Sequence, residues 1–484
     1  MDLLIKANNI NIEYAGRDIL GIDGLEIYAR DRIGMVGANG AGKSTLLRVL
    51  AGEVQPAGCK IQRLGDAVYI SQVDGVDVNA VADFEALSRM GLAGIDAATM
   101  SGGEETRAKI AHALSAQVHA IFADEPTSHL DRGGIGLLAG QLKAFDGALI
   151  IVSHDRYFLD QVVDKIWELK DSKITEYWGN YSQYRQQKDE ETQRQQDLYE
   201  QAQLERGRLE QSVEEVRRQA KKKDKQKGVK SKAQKEGSQW GNQKSPGSKQ
   251  QRMHKTVQNL ERRAESLAEI APPERVRSVN FRQSKALELH NKFPVVGKDI
   301  NLSFGERVIF DRADFTVPLG AKVAFTGANG TGKTTLLKMI KNRHPALTIS
   351  PKAEFGYFEQ TGYKFTTDQS AMAFMEENSD YQSEIRAVLA AVGFSAQDIK
   401  KSLQVLSGGE IIKLLLSKML LGRYNILLLD EPGNYLDIGS LEALESMLKA
   451  YVGTIIFVSH DKRFVDNVAD LVYEFTNGKI LKVK

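Results

Sequence analysis

Two eight-residue runs in this chain have the composition to hold a polyphosphate. Gly37-Ala38-Asn39-Gly40-Ala41-Gly42-Lys43-Ser44 and Gly327-Ala328-Asn329-Gly330-Thr331-Gly332-Lys333-Thr334 both fit G-x-x-x-x-G-K-[ST]. Glycines in this pattern let backbone N–H groups wrap phosphates, the lysine adds a cation, and the final hydroxyl can ligate Mg²⁺. One match can arise by chance, but each follows an apolar strand (Arg32 to Val36; Lys322 to Phe325) and precedes a predicted helix starting at Thr45 or Thr335. Another pair of runs, Ala120-Ile-Phe-Ala-Asp124-Glu125 and Asn425-Ile-Leu-Leu-Leu-Asp430-Glu431, ends an apolar strand in two carboxylates. Beside a phosphate loop, Asp124 or Asp430 can hold Mg²⁺ through water, and Glu125 or Glu431 can orient or deprotonate an attacking water. An Asp-Glu pair alone is more often a solvated turn. Its position after an apolar run and before Pro, twice, favours the metal-and-base reading.

These runs belong to a tandem duplication. The phosphate loops recur at an offset of 290, and Gln72 recurs as Gln360 at 288. Ser101-Gly102-Gly103-Glu104, Asp124-Glu-Pro126 and Ser153-His-Asp155 recur at 306 as Ser407-Gly408-Gly409-Glu410, Asp430-Glu-Pro432 and Ser459-His-Asp461. The change from 288 to 306 places about 18 extra residues in the second copy between Gln360 and Ser407, a region that reads as helical from Ser383 to Val392.

Between the copies the composition shifts to Lys, Arg, Gln and Glu. Residues 216–263 hold 16 Lys and Arg against 3 acids, a charge of +13 within a chain whose net charge is only +2. A solvated, disordered linker is the default reading of such a stretch, but periodicity opposes it on both flanks. Leu198, Ala202, Leu209, Val213, Val216 and Ala220 step by 4, 7, 4, 3 and 4, while Met253, Val257, Leu260, Ala264 and Leu267 step by 4, 3, 4 and 3; both are seams of a coiled coil. Gly228 to Gly247 lacks the pattern and reads as a loop joining two antiparallel helices. At about 1.5 Å per residue, a first helix of about 35 residues would extend roughly 50 Å. The predicted organisation is an α/β domain over residues 1–185, a basic helical hairpin over 186–270 with its tip near 222–250, and a second α/β domain over 271–484.

Composition narrows the function classes. The length of 484 residues is a prior for about three folded units. No stretch approaches the roughly 18 consecutive apolar residues of a membrane helix, and Met1 to Ile10 lacks a signal-peptide core, so a cytoplasmic location is expected. Cys59 is the only cysteine, which excludes a disulfide or a thiolate zinc site within one chain.

In order, the phosphate loop, Gln72, Ser-Gly-Gly-Glu, Asp-Glu-Pro and Ser-His-Asp resemble the ATP-binding cassette ATPases. The resemblance implies two tandem P-loop cassettes, ATP and Mg²⁺ as ligands, and head-to-tail pairing in which each ATP lies between one copy's phosphate loop and the other's signature. Site one would combine Tyr14 (stacking on adenine), Gly37 to Thr45, Gln72, Asp124, Glu125 and the switch residue His154 with Ser407 to Glu410. Site two would combine Phe304, Gly327 to Thr335, Gln360, Asp430, Glu431 and His460 with Ser101 to Glu104. Metal contacts, partly through water, would come from Ser44, Gln72 and Asp124 and from Thr334, Gln360 and Asp430. His112, His119 and His344 lack metal-ligand spacing and read as surface or packing residues.

With a basic hairpin between cassettes, the chain is similar to the ABC-F group of ribosome-binding ATPases. Tyr177-Trp-Gly-Asn-Tyr-Ser-Gln-Tyr184 and the run from Asp124 to Asp131 support this. Met100 to Arg107, Phe281 to Asn291 and Asp430 to Asp437 bring it nearest to the Msr group, which protects ribosomes against macrolides and streptogramin B. That resemblance implies the bacterial 70S ribosome, its large-subunit rRNA and exit-tRNA site, and peptidyl-tRNA as partners, and a monomer with intramolecular cassette pairing. Trp240, with Lys221, Lys222, Lys223 and Lys244, is the expected contact near the drug site; an isolated tryptophan can stack on a base or rest against its own hairpin. A housekeeping ABC-F translation factor is the main alternative, and the short interval from Gln72 to Ser101 disfavours it. A transporter ATPase subunit and a DNA-repair ATPase with a coiled coil are the more distant rivals. Gly433, where the first copy has Thr127, predicts unequal turnover at the two sites.

Overall fold

The computed structural model describes residues 2–484 apart from 15, 72–86, 89, 93–99, 101, 116–117, 129, 234–246, 273–288, 360–364, 366, 378–380 and 435. The first repeat runs β1 (Leu3–Tyr14), β2 (Arg17–Tyr28), β3 (Arg32–Val36), α1 (Lys43–Ala51), β4 (Lys60–Arg63), β5 (Ala67–Ile70), α2 (Gly102–Ser115), β6 (Ala120–Asp124), α3 (Arg132–Ala144), β7 (Ala148–Val152), α4 (Arg156–Val162), β8 (Lys165–Lys170) and β9 (Lys173–Trp178). Then come α5 (Tyr181–Ala233) and α6 (Gly247–Ala268). The second repeat runs β10 (Val295–Phe304), β11 (Arg307–Val317), β12 (Lys322–Gly327), α7 (Lys333–Lys341), β13 (Leu347–Ile349), β14 (Phe355–Phe358), α8 (Ala371–Glu376), α9 (Gln382–Ala391), α10 (Gly408–Leu420), β15 (Ile426–Asp430), α11 (Ile438–Ala450), β16 (Thr454–Val458), α12 (Lys462–Val468), β17 (Leu471–Thr476) and β18 (Lys479–Lys482).

Each repeat builds the same pair of sheets. The larger has the order β5-β6-β7-β3-β8-β9 in one copy and β14-β15-β16-β12-β17-β18 in the other. Five strands are parallel and the last is antiparallel. Parallel strands covered by helices on both faces must be apolar throughout, and β6, β7, β15 and β16 are buried along their whole length. Burying each such Val, Leu, Ile or Phe contributes about 1.5 to 3 kcal/mol. The smaller antiparallel sheets, β2-β1-β4 and β11-β10-β13, carry Tyr14 and Phe304 at the closing turns of their hairpins. The insertion predicted for the second copy is helical, as α8 and α9, and packs Met375, Ile385, Val388 and Leu389 into that repeat's core.

Two sequence expectations shift. The helices after the phosphate loops begin at Lys43 and Lys333, two residues before Thr45 and Thr335, because the lysines already take helical geometry with Gly42 and Gly332 as N-caps. Helix α5 starts at Tyr181 and continues to Ala233, past Gly228, where a loop was expected. One glycine costs a helix only about 1 kcal/mol, too little to stop a run of Lys and Gln that otherwise favours it.

The chain divides into two units, residues 1–184 with 276–484 and residues 185–275. Within the second unit the two helices lie side by side and antiparallel. Gln195 donates to the Ala271 carbonyl, Arg263 pairs with Glu205 at 2.6 Å, and Arg217 pairs with Glu261 at 2.7 Å. Among the described residues, Ala202, Val213 and Ala264 are the buried ones of this seam. Leu198, expected in it, is 55% exposed, so the seam starts one step later, at Ala202. No described helix is long and apolar enough to cross a membrane.

Candidate active site

The phosphate loops sit between the C-terminal ends of β3 and β12 and the first turns of α1 and α7. Gly42 and Gly332 adopt φ of 101° and 98°, and a Cβ there would meet Ile19 at 2.7 Å or Ile309 at 2.5 Å. Only glycine fits, because the left-handed backbone and the approaching β-hairpin both exclude a side chain. Lys43 is buried, and its Nζ donates to the carbonyls of Gly37 and Ala38 at 2.8 and 2.9 Å. Lys333 does the same to Gly327 and Ala328 at 2.9 and 2.7 Å. Each loop thus holds its own lysine over the concavity that a phosphate would fill.

Asp124 and Asp430 end β6 and β15, and both are buried. Asp430 accepts the Thr334 hydroxyl at 3.2 Å, and Asp124 accepts the Tyr69 hydroxyl at 3.1 Å. The next residues, Glu125 and Glu431, have φ of 50° and 48°. A non-glycine residue here costs about 1 to 3 kcal/mol, and the same turn in both repeats swings the glutamate toward the phosphate loop instead of along the strand. Burial, reinforced by Asp124, pushes the Glu125 carboxyl up to about 8. Burial likewise raises Glu431 to about 7, although Lys333 opposes it.

The Ser-His-Asp runs are legible as local geometry. Asp155 caps α4 by accepting the Phe158 N–H at 2.8 Å, and the Ser153 hydroxyl accepts the Asp155 N–H at 3.1 Å. Asp461 and Ser459 repeat this at 3.0 and 3.1 Å. The histidine between them is therefore fixed. His154 Nε2 lies 3.3 Å from Glu125 Oε1, and His460 Nε2 lies 3.5 Å from Glu431 Oε1. Burial, aided by the neighbouring lysine, lowers His154 to about 3 and His460 to about 4. Because both imidazoles are neutral near pH 7, neither contact is a salt bridge there. Glu125 Oε1, Glu431 Oε1 and His154 Nδ1 are buried without a hydrogen-bond partner, so the site holds polar atoms that a water or a ligand can satisfy.

One continuous cavity of about 1240 Å³ joins both sets. Tyr14 and Phe304, 77% and 60% exposed, line it with Lys43, Lys333, Glu125 and Glu431. Exposed rings with one free face are what base stacking requires. Gly102 and Gly103 line the same cavity as the loop 327–335. Ser407 to Glu410 are not among the lining residues. There Glu410 folds back to accept the Ser407 N–H at 2.7 Å, while the Ser407 hydroxyl accepts the Glu410 N–H at 3.3 Å, a capping box that fills its own helix end. The sequence places both signatures on the sites equally; the structure brings only the first repeat's glycines to the cavity. Gln72, Gln360, Ser101, Trp240 and Lys244 lie outside the described residues, and Lys221, Lys222 and Lys223 are described only as part of α5. His112, His119 and His344 are exposed, as expected.

Residues that sequence reasoning did not assign tie the repeats together. Asp437 accepts the Asn39 N–H at 3.1 Å, and Asp131 accepts the Asn329 N–H at 3.4 Å. Each phosphate loop is therefore touched by the opposite repeat, a head-to-tail arrangement. Lys413 pairs with Asp437 at 3.2 Å. Asp131 and Asp437 stand 306 residues apart, so the duplication itself was the signal.

Two phosphate loops, each with a strand-end Asp-Glu pair and a histidine facing the glutamate, define a tandem P-loop ATPase. A family model described as ABC transporter matches residues 22–128 and 310–434, and a second, also described as ABC transporter, matches 167–237. The erythromycin resistance ATP-binding protein MsrA of Staphylococcus epidermidis is 35% identical over 98% of this chain and 98% of its own length. The ribosome protection protein VmlR of Bacillus subtilis is 31% identical over 100% of this chain and 88% of its own. Among solved structures, an archaeal ribosome recycling factor, aABCE1, crystallised with the stalk protein aP1, superposes with a TM-score of 0.63 at 18% identity, covering 98% of this chain and 89% of that one. The chain belongs to the ATP-binding cassette family, in its ABC-F branch near the Msr group, and is an ATP-hydrolysing enzyme.

Proposed function

We propose that this chain is a ribosomal protection factor of the ABC-F type. With ATP bound it enters the exit-tRNA site of the bacterial 70S ribosome, directs its hairpin tip toward peptidyl-tRNA and the drug-binding rRNA, and promotes release of macrolide or streptogramin-type antibiotics; hydrolysis then releases the factor. The observation carrying this reading is that similarity to an erythromycin resistance protein extends over 98% of both chains, hairpin included. The +13 charge of residues 216–263 supports a phosphate-backbone partner, and the cytoplasm follows as the compartment.

The site's chemistry follows from its side chains. Tyr14 and Phe304 would stack on adenine, and the two loops with Lys43 and Lys333 would bind the phosphates. The hard oxygens of Ser44 with Asp124, and of Thr334 with Asp430, suit Mg²⁺, with Gln72 and Gln360 completing each set; when bound, the ion neutralises phosphate charge. Glu125 and Glu431 would orient and deprotonate the attacking water, with His154 and His460 holding that water and the γ-phosphate in line. The signature glycines 102–103 and 408–409, with Ser101, Glu104, Ser407 and Glu410, would cover the ATP bound to the opposite loop.

Cell-free translation stalled by a macrolide tests the reading. Added protein and ATP should restore translation, and the Glu125→Gln/Glu431→Gln variant should instead trap ribosomes. Trapping without rescue by the wild type would leave a translation factor with no protective role.

A further inference from the structure

The 306-residue offset allows the face shared by the two cassettes to be compared position by position. At the phosphate loops the face is reciprocal, Asn39 with Asp437 and Asn329 with Asp131. At the foot of α5 it is one-sided. Asp160 of α4 accepts the Ser182 N–H at 2.6 Å and the Ser182 hydroxyl at 2.7 Å, which closes the first turn of α5. Arg463, from α12 of the second cassette, donates through Nη2 to the same carboxylate and to the Ser182 hydroxyl oxygen. Its guanidinium also lies 5.3 Å from the centre of the Tyr181 ring. That ring is fully buried, and its hydroxyl donates to Glu442 of α11 at 3.4 Å.

Two helices of the second cassette therefore grip residues 181 and 182. The duplication supplies an internal control. Tyr157 stands where Arg463 would recur and Gly136 where Glu442 would, so the opposite side has neither the guanidinium nor the carboxylate. The asymmetry extends inward. Arg156, 3% exposed, pairs with Glu445 and Asp461, whereas the offset puts Lys462 and Ala139 at the Arg156 and Glu445 positions.

We propose that Arg463 and Glu442 are positioning residues that couple movement of the second cassette to the direction of α5. A helix takes its direction from its first turn, and here that turn is held by one element of its own cassette and two of the other. Each phosphate loop is touched by the opposite repeat, so a nucleotide bound there bridges the cassettes; the grip is complete when that face is closed and loosens when it opens. The Arg463 side chain is 30% exposed and the Asp160 side chain 19%; a partly solvated ion pair is weak enough to be made and broken in every cycle. The inference concerns parts of this chain alone and does not depend on what the hairpin touches.

Spin labels at Lys60→Cys in the first cassette and Arg208→Cys on α5, in a Cys59→Ser background, report it. Pulsed dipolar distances are compared with ADP and, with Glu125→Gln/Glu431→Gln also present, with ATP. ATP should narrow the distance distribution, and Arg463→Ala should abolish that narrowing while ATP affinity and melting temperature hold. Glu442→Ala reaches the same grip from another helix and serves if Arg463→Ala folds poorly. Persistence of the narrowing in either folded variant, or its absence without substitution, would overturn the proposal. Loss of ribosome rescue with these distances unchanged would count against protection and not against the coupling.

Discussion

Glu125, proposed as the base, sits in a place that favours its acid form. Its carboxyl, ordinarily near 4.5, is held near 8 by burial and then by Asp124. Between those values the folded chain keeps a proton that the unfolded chain has released, so stability falls as pH rises through that window. Glutamine occupies the same space without a charge to desolvate. Glu125→Gln should therefore melt with the wild type near pH 4.5 and about 3 °C or more above it at pH 8.5, since 1 kcal/mol moves such a domain by about 2 to 4 °C. Equal melting temperatures at both pH values would mean that the carboxyl titrates normally. His154 and His460 act with the opposite sign: lowered to about 3 and about 4, they weaken the fold only as pH falls below their usual 6.5. The identities of these residues were legible because the motif spacing is local. The left-handed turn at Glu125 was not, because it is fixed by the Glu125 N–H bonding to Val152 on β7, a contact across the sheet.

At the scale of elements, one carboxylate shows how a helix end becomes part of a site. Asp437 caps α11 through the Ser440 N–H at 2.8 Å, pairs with Lys413 of α10, and accepts from Asn39. It is buried, and Lys413 with these N–H donors holds it near 2 against the cost of burial. Its counterpart Asp131 caps α3 through Gly134 at 2.9 Å and meets Asn329 at 3.4 Å, but is more exposed. Losing a cap costs about 1 kcal/mol, and breaking a buried pair costs about 3 to 5. Asp437→Ala should thus destabilise the chain by about 3 kcal/mol or more in urea unfolding, and Asp131→Ala by about 1; equal losses would remove Lys413 from the account. Periodicity placed the paired helices of the hairpin but not their ends. Leu198 has the right spacing and still lies outside the seam, because an a/d pattern says which residues share a face and not where the partner helix stops.

At the scale of the molecule, duplication predicts two equal sites and the structure holds two unequal ones. Gly102 and Gly103 line the cavity that both phosphate loops share, whereas Ser407 to Glu410 do not. Thr127 is hydrogen-bonded to Ser153 at 3.0 Å, and Gly433 in the other copy has no hydroxyl to repeat it. Gly433 points to unequal turnover, which the rates of the two glutamine variants decide; which site leads was not legible, since it depends on which helix end reaches the cavity. In the chain free of any partner, site two is the better assembled, so Glu431→Gln should remove most of the basal ATPase rate, by about 100-fold if the base acts there as a general base. Glu125→Gln should leave the larger part of that rate. If site one depends on α10 opening its capping box, Glu410→Ala should increase the share of turnover that Glu125 carries, which the residual rate of Glu410→Ala/Glu431→Gln measures directly. Equal losses from the two glutamine variants would show that the sites fire together, and that the difference in their signatures does not reach the chemistry.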